Sequence, residues 1–199
     1  MMRFFYTRLA TVAILGAIGI MAWIQYQHVT GGIGGHKAAD IPKFTLQDLH
    51  GNTVTERSWP GKYLLIYFGY TYCPDVCPTS LTLMNEALAG LGQDSERIVP
   101  ILITIDPDRD KPDVLTVYTM AFRPNLVGLT GSPNQISVAA RQFGAVFARY
   151  GNDQDYTMDH SADFYLVGPD GRMAETIPHG IGAAEMAARV GSFLHDRIR

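Results

Sequence analysis

The chain has 199 residues, 47% of them hydrophobic and 18% charged, which suits one packed domain with an appendage and excludes intrinsic disorder over most of the length. Sixteen Lys and Arg stand against 19 Asp and Glu, and without Arg3 and Arg8 only 14 basic residues remain, so a basic groove for a nucleic-acid backbone is excluded. Two cysteines can neither staple a disulfide scaffold nor complete a four-thiolate zinc or iron–sulfur site, so any metal must recruit histidine, carboxylate or another protein.

Residues 9–24 carry no charge and follow Arg3 and Arg8. Bulky Trp23, Ile24, Gln25 and Tyr26 stand where a cleaved signal would place small residues. Counted to the aromatic Trp23 and Tyr26, the run reaches the roughly 17 residues that span a bilayer core. The expectation is a cytoplasmic terminus over 1–8 and an uncleaved transmembrane anchor over 9–27. Positive charge is retained inside, which places the rest of the chain outside the cytoplasm. A tether over 28–40, containing Gly31, Gly32, Gly34 and Gly35, then leads to a domain over 41–199.

A hairpin is signalled by Phe44–Gln47, the turn His50-Gly51-Asn52 and Thr53–Thr55. Tyr63–Phe68 is a continuous apolar run of strand length and should be a central buried strand. Leu81, Met84, Leu88 and Leu91 repeat at helical spacing, and Gly90 and Gly92 end that helix. Val99–Ile105 reads as a second strand. A helix follows on Val114, Val117, Tyr118 and Phe122, and another on Ile136, Ala139, Ala140 and Phe143 after the turn Gly131-Ser132-Pro133. Phe164–Val167 and Met173–Ile177, joined through Gly168-Pro169-Asp170-Gly171, form a second hairpin, and Ala183–Ile198 a closing helix. A strand, helix, strand core with a hairpin on each side is an α/β arrangement that resembles the thioredoxin-like fold more than a doubly wound nucleotide fold.

Cys73-Pro74-Asp75-Val76-Cys77-Pro78 lies between the central strand and the first helix, a junction where open α/β folds bind ligands. Residues before proline are biased toward extended conformations, and proline suits the first helical position, so the helix should start at Pro78 with Cys77 at its cap. Both sulfurs would then sit near a positive helix end, which favours the thiolate, the form that binds metal or attacks a disulfide. Three intervening residues allow either a disulfide or joint metal ligation. Two inert packing cysteines are the bland alternative, and two Cys-Pro steps at such a junction are a poor way to fill a core. A peroxidase would want threonine and proline where Tyr70 and Ile66 stand, and a thioredoxin-type reductase wants one residue fewer between the cysteines.

Phe68-Gly-Tyr-Thr-Tyr-Cys-Pro-Asp-Val-Cys-Pro78 resembles the signature of the Sco/SenC family of copper-binding assembly proteins. Ile105-Asp-Pro-Asp-Arg-Asp110, Leu129-Thr-Gly-Ser-Pro133 and Asp155-Tyr-Thr-Met-Asp-His-Ser161 resemble further family blocks in the family order. The resemblance implies a thioredoxin-like fold on an N-terminal anchor and copper held by Cys73, Cys77 and His160. Tyr72 stands where many members have histidine. The chemistry agrees, because thiolates select Cu(I) and imidazole accepts Cu(I) and Cu(II). His28, His36, His50, His179 and His195 have no such support and read as solvated residues, with His179 the one to watch. Asp106, Asp108 and Asp110 alternate like the start of a calcium loop, but Lys111 and Val117 occupy the positions that need glycine and glutamate. A capped turn with Arg109 pairing locally is expected there.

Together these readings describe a membrane-anchored copper chaperone on a bacterial-type inner membrane, single-pass, with its domain in the periplasm, in preference to the mitochondrial inner membrane. The resemblance implies a role at the binuclear copper site of cytochrome c oxidase subunit II and an upstream copper donor. The rivals are a thiol–disulfide oxidoreductase using the Cys73–Cys77 pair on the target's cysteines, and a redox or copper sensor.

Overall fold

The structure is a computed structural model that describes residues 42–122, 126–152 and 155–196. The expected anchor over 9–27 and tether over 28–40, with His28 and His36, lie outside the described residues. Among the described residues no helix is long and apolar enough to cross a membrane.

The uninterrupted apolar run becomes β3 (Tyr63–Gly69), buried at all seven positions. A strand with no solvent face needs partners on both edges and cover on both faces. β4 (Ile98–Thr104) pairs with it in parallel along its whole length. β8 (Phe164–Val167) pairs on the other edge, antiparallel, from Leu64↔Val167 to Tyr67↔Phe164. Outward from these lie β5 (Val127–Thr130) beside β4, β1 (Thr45–Asp48) and β2 (Thr53–Thr55) beyond it, and β9 (Met173–Ile177) beside β8. The sheet therefore runs β2-β1-β5-β4-β3-β8-β9. Gly51, at φ +83°, makes the β1–β2 turn that its sequence signals.

Two crossovers separate the parallel strands: α1 (Val76–Gly90) between β3 and β4, and α2 (Pro112–Met120) between β4 and β5. α3 (Pro133–Phe143) and α4 (Ala183–Asp196) complete the layers. α1 and α4 lie against each other, with Gly191 close to Leu91 and Gly90 close to Ala187. On the opposite face Phe143 of α3 joins Phe44, Phe68 and Tyr165 in an aromatic cluster with centroids 5.5–6.3 Å apart. A hairpin of its own, β6 (Phe147–Gly151) with β7 (Tyr156–His160), stands apart from the sheet and registers Phe147 opposite His160.

The mixed α/β thioredoxin-like arrangement and both expected hairpins are present, with three differences. α1 begins at Val76, not Pro78, so Cys77 lies inside the first turn. The first N–H groups of a helix have no internal partner, so proline is tolerated anywhere in that turn; the first ring closes from Thr79 N–H to the Asp75 carbonyl. In α2 the expected inward residues Val114 and Val117 face solvent, Val117 at 73% exposure, while Leu115 and Thr119 are buried. Apolar side chains surround this short helix, both phases share Tyr118 and Phe122, and the larger Leu115 takes the core. Finally, β5 and the β6–β7 hairpin were not expected.

Ser132 receives the Gln135 N–H at 3.3 Å while the Gln135 side chain receives the Ser132 N–H at 2.9 Å, a reciprocal cap for α3. Ser132→Ala should cost about 1 kcal/mol and lower the thermal midpoint by about 2–4 °C, read by circular dichroism.

Candidate metal centre

β3 ends at Gly69, where a side chain has no room: a Cβ there would meet the Tyr67 ring at 2.8 Å and Cys77 Sγ at 3.0 Å. The loop that follows is pinned by Asp110. Its carboxylate, fully buried, accepts the Thr71 N–H at 3.1 Å, the Thr71 hydroxyl at 2.5 Å and the Thr104 hydroxyl at 2.6 Å. Burial pushes the Asp110 carboxyl up, against the lowering effect of those bonds. The Asp-x-Asp-x-Asp run is thus no cation loop: Asp106 pairs with Arg109 as expected, Asp110 holds the cysteine loop, and only Asp108 faces solvent.

The two sulfurs have different environments. Cys73 is half-buried, and its sulfur accepts the Cys77 backbone N–H at 3.3 Å, a free donor of the first turn of α1. Cys77 is fully buried, and burial pushes its thiol up to about 12. The expectation that the helix end favours thiolate at both positions fails at Cys77, because desolvation in an apolar site outweighs the partial charge of a helix terminus.

His160 ends β7 and completes the group. Its Nδ1–H donates to the Ser161 carbonyl at 2.9 Å, which leaves the Nε2 lone pair facing Cys77 Sγ at 3.4 Å. Tyr67 and Tyr70 stand edge-on to the imidazole, each centroid 6.0 Å away, and fix the ring plane. Burial lowers the readiness of His160 to protonate, so it faces the sulfur as a neutral donor. The Cys73, Cys77 and His160 ligand atoms all lie within 4.8 Å of one another. Atoms bound to one ion at about 2.0–2.3 Å stand about 3.5–4.6 Å apart, so the trio can close on a single ion with small adjustments. Two soft sulfurs with one imidazole suit copper in either oxidation state.

The structure brings together the three residues singled out in the sequence and leaves the other described histidines outside. His50 is exposed in the β1–β2 turn and His195 lies near Asp94 on α4. His179 is exposed, with its backbone N–H bonded to Asp163. Sequence reasoning missed Tyr67 and Tyr118, whose buried hydroxyls lie near the cysteines and whose burial pushes both phenols well above their ordinary range. It also missed Asp110 as the anchor of the loop.

The SCO1/SenC family model matches residues 34–195. Protein sco1 of Schizosaccharomyces pombe is 39% identical over 159 residues, 77% of this chain and 60% of that protein, so the chain spans about three-fifths of that relative's length. Bradyrhizobium japonicum ScoI, solved with copper bound, is similar at 38% identity and a TM-score of 0.69, over 79% of this chain and 99% of that one. BsSco, described as a member of the Sco family of cytochrome c oxidase assembly proteins in which a disulfide switch was identified, is similar at 26% identity and a TM-score of 0.61, over 79% of this chain and 92% of that one.

The unequal burial of the two sulfurs has a measurable consequence. In the reduced, metal-free chain at roughly pH 8, iodoacetamide should modify Cys73 and spare Cys77 until the protein unfolds. Peptide mass mapping checks this, and equal labelling of both under native conditions would contradict the burial of Cys77.

Proposed function

The chain belongs to the SCO1/SenC family, and from that premise we propose that it is a copper chaperone that carries its cargo on Cys73, Cys77 and His160 in the assembly of cytochrome c oxidase. The observation that carries this reading is the convergence of two sulfurs and one neutral imidazole nitrogen within 4.8 Å, with the nitrogen's tautomer already set by Ser161. The thiolates hold Cu(I), and the imidazole extends the set to Cu(II). The recipient is the binuclear copper site of subunit II, supplied through this chain by an upstream donor. Residues 9–27 anchor the chain in a bacterial-type inner membrane, with the domain in the periplasm.

A second reading rests on the same pair. Both cysteines are free and their sulfurs are near neighbours. Cys73, the accessible one, would attack a disulfide of the target as thiolate, displacing one target thiolate. Cys77 would then displace the second, so that two electrons pass to the target and a Cys73–Cys77 disulfide remains. This activity prepares a recipient for copper, since metal loading needs reduced cysteines on both sides.

His160 separates the two readings, because thiol exchange does not require it. His160→Ala should keep Cu(I) on the two sulfurs, lose the intense thiolate-to-Cu(II) absorption and leave thiol titration unchanged. A parental Cu(II) spectrum in that variant would remove His160 from the ligand set. The anchor has a separate check: protein from native membranes should keep its N-terminal residues and resist high-salt extraction, and a soluble form beginning near His28 would refute it.

A further inference from the structure

His160 rides on a hairpin that stands outside the main sheet, and an isolated two-stranded hairpin is marginal in water. Its position over the cysteines is therefore decided by what docks it. Met158 supplies a buried apolar contact. Apart from the ligand contact itself, the polar contacts between the described residues of β6–β7 and the cysteine or β4–α2 loops come from two places. The Tyr70 and Thr157 hydroxyls meet at 3.1 Å. The others centre on Arg109.

The Arg109 guanidinium lies between two rings, 3.7 Å from the Tyr156 centroid and 4.7 Å from that of Tyr72. Its Nε pairs with Asp106, and its Nη1 donates to the Tyr156 carbonyl at 2.9 Å. Asp106 in turn accepts the Tyr156 hydroxyl at 2.7 Å. Arg149 stacks on the same Tyr156 ring at 3.7 Å, and two guanidiniums at that distance must take opposite faces. The result is a stack of Tyr72, Arg109, Tyr156 and Arg149. It joins the residue before Cys73, the β4–α2 loop and the first residue of the strand that ends in His160.

We infer that Arg109 is the positioning residue that registers the His160 hairpin on the cysteine loop, and so sets whether the centre works with three ligands or with two sulfurs alone. The inference rests on the copper reading above. A planar guanidinium can stack on two rings while its edge bonds a carboxylate and a carbonyl; an ammonium cannot do all of these together. Removing the pin frees β7 at Tyr156, and His160 then samples positions away from Cys77. The pin acts only through the nitrogen ligand, so the state that needs nitrogen, Cu(II), should suffer and two-thiolate Cu(I) should not.

The test is a double-substitution cycle in the full chain, with Cu(II) and Cu(I) as probes: parent, Arg109→Ala, His160→Ala and both together. Arg109→Ala should weaken Cu(II) binding by about 10–100-fold and diminish the nitrogen coupling in the Cu(II) electron paramagnetic resonance spectrum, with Cu(I) binding held within about twofold. In the His160→Ala background the same substitution should cost nothing further. Arg109→Lys should not restore the spectrum. Should Arg109→Ala fail to fold, Tyr72→Leu, which strips only the exposed face of the stack, is put through the same cycle with the same direction expected. A Cu(II) loss that persists without His160, equal losses of Cu(I) and Cu(II), or full rescue by lysine overturns the assignment while leaving the copper reading intact. A parental Cu(II) spectrum in His160→Ala alone overturns the ligand set, and the assignment of Arg109 falls with it.

Discussion

The burial of β3 on every side is the constraint from which the site follows. A strand with no solvent face must be paired on both edges, and the two partners run in opposite senses: β4 parallel and β8 antiparallel. At the end of β3 the chain therefore leaves toward α1 carrying the cysteines, β4 leaves toward α2 carrying Asp106 and Asp110, and β8 arrives. Phe164, the first residue of β8, is registered opposite Tyr67. The segment just before it, which contains His160, is thereby delivered to the end of the strand from which the cysteine loop departs. Had β8 run parallel to β3, its approach would lie at the other end of the sheet.

That topology explains what could be read from the chain and what could not. The runs that became β3, β4 and β8 are continuous and apolar, and a strand buried on both faces has to be written that way. The cap of α3 and the Gly51 turn use local chemistry that the sequence displays. β6 carries Phe-Ala-Arg-Tyr-Gly with four of its five residues exposed, so it shows no alternation from which a strand could be inferred. β5 is a four-residue strand containing glycine, too short to set a period. The start of α1 was missed because the bias against helix before proline is a local preference, and the first turn has no hydrogen bonds for proline to break.

The site was legible unevenly for the same reason. The cysteine pair is a local motif at a strand-to-helix junction. His160 is a single histidine among six, and only family resemblance separated it from the rest. Arg109 pairs with its near neighbour Asp106, as local reasoning expects, but its bond to Tyr156 spans 47 residues. Nothing within a window of sequence signals that contact. Likewise the aspartate alternation suggested a calcium loop only to be dismissed, whereas the burial of Asp110 against Thr71 and Thr104 shows what the last of those carboxylates does.

The acid–base state of the centre follows from burial more than from the helix. A thiol pushed up to about 12 is protonated in neutral solution, and the Nε2 lone pair of His160 lies 3.4 Å from its sulfur. In the metal-free state a thiol proton directed at that lone pair would bridge the gap. A copper ion would occupy the same gap, held between the same two atoms with Cys73 as the third. Loading the site then exchanges a proton for the cation, and burial that makes Cys77 a poor nucleophile toward solvent does not make it a poor ligand, since coordination to a cation supplies the charge compensation that the apolar surroundings withhold. Cys73 differs: its sulfur is partly open and held by an N–H of α1. On the copper reading, an incoming thiolate would therefore meet Cys73 before the buried Cys77, with His160 half-buried like Cys73.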